Sequence, residues 1–136
     1  MIRSRLRGLY AITDEDLIPQ TAFTSRIELA LSGGAAIIQY RDKSADKAKR
    51  LHQASSLRRL CDRYEASLII NDDISLAKAV AADGVHLGED DAVIEQARSV
   101  LGEHAIIGIS CYNQLQRALD AQAAGADYVA FGAIFS

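Results

Sequence analysis

The chain has no tryptophan, one proline and two cysteines among 136 residues. With so little proline and no Gly/Ser-rich tract, nothing divides the sequence, and a single domain with its own core is expected. Cys61 and Cys111 show neither C-x-x-C nor metal-ligand spacing, so they read as free thiols in a reducing compartment. No apolar run approaches the ~18 residues of a membrane span. The basic start, Met1 to Gly8, is not followed by an apolar stretch with a small-residue cleavage site, so a cytoplasmic protein without membrane contact is expected. Neither sign of charge dominates: 15 Lys and Arg stand against 18 Asp and Glu, for a net charge of -3. That balance gives no global reason to expect nucleic acid as a partner.

What is present is ordinary for a globular protein, 49% hydrophobic and 24% charged residues, arranged in a recurring order. Short β-branched or aromatic runs alternate with longer stretches of helical spacing. Strands are expected at Leu9 to Ile12, Ala36 to Tyr40, Leu68 to Ile70, Gly84 to Leu87, Ala105 to Ile109 and Tyr128 to Phe131. Helices are expected around Thr24 to Ser32, Ala45 to Tyr64 with Ser44 as cap, Ser75 to Ala81, Ala92 to Leu101, and from an Asn113/Gln116 capping box to about Ala124. Alternation of this kind predicts right-handed βαβ units and a parallel sheet. The segments Gly84 to Gly88 and Tyr128 to Gly132 are weakly alike, and each follows an Ala-rich helix end and an Asp. No G-x-G-x-x-G follows the first strand and no P-loop pattern occurs, which disfavours a doubly wound sheet. Polar residues instead gather after several strand ends, as in a (β/α)8 barrel of the TIM type. Only about six of its eight units are visible.

Three polar clusters carry candidate chemistry. In Gln39-Tyr40-Arg41-Asp42-Lys43, alternation places Gln39, Arg41 and Lys43 on one side, two cations and an amide suited to a phosphate or diphosphate. The same charges would equally serve a solvated turn paired with the next helix. Asn71-Asp72-Asp73 could hold a hard divalent cation or simply cap the short helix that follows. Glu89-Asp90-Asp91 would suit a helix start, yet a parallel barrel brings these acids beside Asp72, at the mouth shared with Arg41 and Lys43. Ser110 could donate to a phosphate oxygen or serve as a turn residue. His86, inside an apolar strand, reads as a hydrogen-bonded core histidine, while His52 and His104 read as surface residues. No nucleophile-base pair is apparent, and Cys111 reads as structural.

The strings Tyr10-Ala11-Ile12-Thr13-Asp14, Gln39 to Lys43, Ile70 to Asp73, Asp83 to Gly88 and Gly125 to Val129, in this order, resemble the thiamine-phosphate synthase family. The resemblance implies a (β/α)8 barrel that joins 4-amino-2-methyl-5-hydroxymethylpyrimidine diphosphate to a thiazole phosphate, releasing diphosphate. It implies that Gln39, Arg41, Lys43, Asn71 and Ser110 bind the pyrimidine substrate and its diphosphate. Arg41, Lys43 and Ser110 then assist the departure of diphosphate, and Asp72 and Asp91 bind Mg²⁺. It further implies a dissociative reaction, in which the C–O bond breaks before the thiazole nitrogen adds. Such chemistry needs leaving-group charge neutralised rather than a protein nucleophile. Gln39-Tyr40-Arg41-Asp42-Lys43 stands where the family usually has Gln-Leu-Arg-Glu-Lys, which keeps every inferred ligand. After Phe131 to Phe135 the family continues into a diphosphate-gripping loop and two more strands. The chain is therefore expected to be an incomplete barrel with open first and sixth strands, prone to self-association and of little turnover alone. A noncatalytic phosphate-binding or assembly remnant, and a relative like the thiazole tautomerases, are the alternatives. Asn71, Asp72 and Asp91 together favour the synthase line.

Overall fold

The computed structural model describes residues 5–88 and 91–135, the side chains of 91 and 92 excepted. Six strands form one sheet: β1 (Leu9–Ile12), β2 (Ala35–Tyr40), β3 (Ser67–Asn71), β4 (Gly84–Leu87), β5 (Ile106–Tyr112) and β6 (Tyr128–Phe131). All neighbours pair in parallel and the spatial order is the chain order, which a doubly wound sheet would not show. The helices between them are α1 (Phe23–Ser32), α2 (Lys47–Arg63), α3 (Ile74–Ala79), α4 (Asp91–Leu101) and α5 (Leu115–Ala123). This is the architecture of a TIM-type barrel, curled but with β1 and β6 each paired on one side only. No helix among the described residues is long and apolar enough to cross a membrane.

Alternation along the strands builds two layers. Outward residues such as Ile38, Tyr40, Leu68, Ile70, Val85, Ile107 and Cys111 join Ile27, Leu57, Leu60, Leu76, Ile94 and Ala97 of the helices in the main core. Each large side chain buried there contributes roughly 1.5–3 kcal/mol, so this layer outweighs any single polar contact elsewhere. Inward residues Ile37, Ile69 and Ile106 form a small second cluster with Leu6, Tyr10 and Tyr128. It floors the concave side of the sheet.

Two caps differ from the sequence expectation. The α2 cap is Asp46, whose carboxylate accepts from the Lys49 N–H at 3.0 Å, rather than Ser44. The residue before α5 is Gln114 with no side-chain cap bond, so the expected Asn113/Gln116 capping box does not form. Asp73 does cap α3, accepting from Leu76 N–H at 2.9 Å.

The internal likeness has a structural basis. Asp83, before β4, accepts from Leu68 N–H of β3 at 2.8 Å and from Arg58 of α2 at 3.0 Å. Asp127, before β6, accepts from Ile107 N–H of β5 and from Arg98 of α4, both at 2.8 Å. The same clamp of Asp, neighbouring-strand amide and helix arginine thus occurs twice at the N-terminal end of the sheet, and Arg5 adds a second cation to Asp83.

Gly108 lies between His86 and Tyr128 in register, on the middle of three adjacent strands. Lacking a side chain, it lets the Tyr128 ring lean over β5 and stack on His86, with centroids 5.6 Å apart. A Cβ at Gly108 would sit 2.0 Å from Tyr128 Cζ. We expect Gly108→Ala to displace the ring and cost ~1–3 kcal/mol, read as a lower urea midpoint. An unchanged midpoint would show that the ring does not occupy this space.

Candidate active site

The C-terminal strand ends open on a cavity of about 450 Å³, lined by Tyr10, Ile12, Gln39, Arg41, Asn71, His86, Ser110, Tyr112 and Tyr128 among others. Alternation carries the sequence pattern into this geometry. Gln39 and Arg41 both face the cavity, with buried Tyr40 turned to the helices, where its hydroxyl donates to Gln53 Oε1 at 2.7 Å. The Arg41 main chain is pinned by Thr13, whose Oγ1 accepts from Arg41 N–H at 2.9 Å. Among the described residues the Arg41 guanidinium carries no hydrogen bond or ion pair.

Beyond the ends of β2 and β3, Lys43 pairs with Asp72. Both side chains are about half exposed, at 49% and 51%, so the pair is worth only ~0–1 kcal/mol. Asp72 has φ +63°, a left-handed conformation that Asp tolerates better than most residues, and its N–H donates to His86 O at 2.9 Å. Asn71, Asp72 and Arg50-paired Asp73 therefore divide the labour: Asn71 lines the cavity, Asp72 meets Lys43, and Asp73 caps α3. The helix-cap reading of this triplet is realised by Asp73.

Ser110 lies within β5 rather than after it, because the strand runs on to Tyr112. Its hydroxyl is 2.7 Å from His86 Nε2. His86 is buried and hydrogen-bonded, as expected, but it also faces the cavity. Burial lowers its pKa, with a smaller opposing pull from Asp72, and favours the neutral ring. Tyr10 and Tyr128 touch through their hydroxyls at 2.5 Å, and burial raises both phenol pKa values. These two tyrosines and Thr13 were not singled out from sequence, though all lie in the strings that carried the family resemblance. Residue alternation along β1 and β6 is the signal that could have aimed the tyrosines inward.

Gln39, Arg41, Asn71 and Ser110 thus share one cavity, while Lys43 and Asp72 are not among its lining residues and pair with each other beyond the ends of β2 and β3. Glu89 and Asp90 lie outside the described residues, as does the side chain of Asp91, whose backbone begins α4. No group of three or more potential metal ligands occurs among the described residues. The Asp72 carboxylate does offer hard oxygen donors at the mouth, which fits Mg²⁺ in kind. Both cysteines are buried outside the cavity, and burial pushes the Cys61 thiol up to about 11 and raises that of Cys111. Neither is poised as a thiolate.

Asp42, between Arg41 and Lys43 in the sequence, is buried and forms an ion pair with the partly exposed Lys49 at 2.8 Å, while accepting from Ser44 N–H at 2.8 Å. Burial would raise its pKa, but the hydrogen bonds from Lys49 and Ser44 outweigh burial and hold it well below the usual carboxylate range. Stability from a carboxylate so depressed is fully present above the unfolded pKa of about 3.9 and is lost as pH falls through the lower folded value. Asp42→Asn should therefore cost about 1–3 kcal/mol at neutral pH. The gap from the parent, followed by urea unfolding, should narrow below about pH 4. A gap independent of pH would contradict the pairing.

The family model for thiamine monophosphate synthase matches residues 9–136. Curated relatives named thiamine-phosphate synthase include one from Nitrosococcus oceani, 57% identical over 97% of this chain and 61% of its own length. Another, from Thioalkalivibrio sulfidiphilus, is 53% identical over 96% of this chain and 62% of its own. Among solved structures, the thiamine phosphate pyrophosphorylase of Pyrococcus furiosus superposes with a TM-score of 0.86 at 39% identity, over 99% of this chain and 64% of that one. The chain spans about three-fifths of the length of the curated relatives it matches.

Proposed function

The chain belongs to the thiamine monophosphate synthase family, and from that premise we propose that its strand mouth binds the pyrimidine diphosphate substrate of thiamine phosphate synthesis. The observation that supports this most is convergence. Gln39 and Arg41 of one strand end, Asn71 of the next and Ser110 of β5 line a single cavity, and Lys43 and Asp72 pair with each other just beyond the ends of β2 and β3. An amide, a guanidinium and a hydroxyl suit a polar ring attached to an anion.

In this reading Gln39 and Asn71 orient the pyrimidine, Arg41 and Lys43 meet the diphosphate, and Ser110 donates to one of its oxygens. Asp72 and Asp91 would hold Mg²⁺, which when bound supplies further positive charge against the leaving group. Lys43 and Asp72 neutralise each other in the free chain. An incoming diphosphate with its cation gives each a new partner of opposite sign, and because the exposed pair is weak the exchange costs little. The residues at the mouth neutralise departing charge and hold the ring, which is what bond breaking ahead of bond making requires. The second substrate, a thiazole phosphate, completes the reaction of the whole protein, in the cytoplasm.

Calorimetry tests the first step. We expect the chain to bind the pyrimidine diphosphate only with Mg²⁺ present, and Asp72→Ala to weaken binding roughly tenfold or more, about 1.4 kcal/mol. Absence of heat with or without Mg²⁺ would instead favour a noncatalytic remnant of the family.

A further inference from the structure

Five polar side chains from five strands form an unbroken file across the concave face. Gln39 Nε2 lies 2.8 Å from Tyr10 OH, Tyr10 OH 2.5 Å from Tyr128 OH, Tyr128 OH 3.0 Å from His86 Nδ1, and His86 Nε2 2.7 Å from Ser110 Oγ. The two ends of the file, Gln39 and Ser110, both line the cavity.

The protons along the file follow from its first member. An amide nitrogen only donates, so Tyr10 oxygen accepts from Gln39. Tyr10 has one proton of its own, and the remaining hydrogen-bond partner among the described residues is Tyr128. Tyr128 in turn receives that proton and gives its own to His86 Nδ1. A neutral imidazole that accepts at Nδ1 carries its proton on Nε2 and donates from there to Ser110. The Ser110 oxygen is then supplied with a donor from behind, and its own proton is free to turn into the cavity.

We propose that this file is a directional hydrogen-bond chain in which Tyr10, Tyr128 and His86 are positioning residues that hold Ser110 as a donor toward an anionic oxygen in the cavity. The proposal rests on the reading above, in which Ser110 meets a diphosphate, and adds how Ser110 is set for that role. The chain has one alternative state. Were the Gln39 amide turned so that its oxygen faced Tyr10, every bond would reverse. His86 would then carry its proton on Nδ1, and Ser110 would donate backward to Nε2, leaving only lone pairs for the ligand. An anionic oxygen at Ser110 disfavours that state. The orientation of an amide on β2 and the donor character of a hydroxyl on β5 are therefore one choice, made through three intervening residues.

The His86 tautomer reports the direction. In a ¹⁵N-labelled chain at about pH 8, where the ring is neutral, the imidazole nitrogens are read by long-range ¹H–¹⁵N correlation and assigned by their loss in His86→Gln. We expect a protonated Nε2 and an unprotonated Nδ1. Tyr128→Phe removes the donor to Nδ1 and should abolish the single-tautomer signature. Gln39→Glu replaces the leading donor with an acceptor and should move the proton to Nδ1. A protonated Nδ1 in the parent chain, or a signature unchanged in the folded variants, overturns the proposal. If a variant fails to fold, the parent signature and the other variant decide. A chain that shows the Nε2–H tautomer but does not bind the pyrimidine diphosphate counts against the functional reading alone. One that binds it with the Nδ1–H tautomer counts against the directional chain alone.

Discussion

The contact between Tyr10 on β1 and Tyr128 on β6 is the constraint from which the site follows. These strands are the two edges of the sheet, separated by four others, yet their hydroxyls meet at 2.5 Å and their rings pack edge to face at 5.7 Å. Only a strongly curled sheet allows this. Curling turns a row of strand ends into a ring and brings Gln39, Arg41, Asn71 and Ser110, spread over 72 positions of sequence numbering, around one cavity.

What permits the contact is a division of roles between neighbouring residues. The outward half of the four inner strands is apolar and packs against the helices, which secures the sheet, while Ala11 and Val129 of the edge strands are only partly buried there. The inward half is then available for polar groups, provided each finds a partner. Gly108 makes room for two of them, since without its missing side chain His86 and Tyr128 could not touch across β5. The acidic residues are divided in the same way. Asp83 and Asp127 clamp the N-terminal end, Asp42 is consumed by Lys49, and Asp72 pairs with Lys43.

Much of this was legible in the sequence. All six strands lie where β-branched runs and their bounding turns indicate, and β1, β4 and β6 agree to the residue, because parallel strands of a β/α unit are short, apolar and sharply bounded by turns. The alternation of Gln39 and Arg41 foretold that these two face one cavity, whereas Lys43, three residues beyond the end of β2, is not among its lining residues. Less legible were matters decided between elements. Ser110 looked like a turn residue because nothing local shows that β5 continues to Tyr112. Ser44 looked like a cap, but Asp46, two residues on, immediately precedes the first helical residue, Lys47. The partners of His86 come from β5 and β6, 24 and 42 positions away, so its hydrogen bonding could be expected but not assigned.

The cationic and hydroxylic parts of the site, the amide that orients them and the tyrosines beneath are thus products of one geometric fact, the closure of the concave face. A nuclear Overhauser experiment on the chain measures it most directly. Ring protons of Tyr10 and Tyr128 should show a strong mutual cross-peak, as the 5.7 Å centroid separation requires. If both rings are assigned and no cross-peak appears, the sheet is open in solution and the shared cavity, with the chemistry assigned to it, does not form.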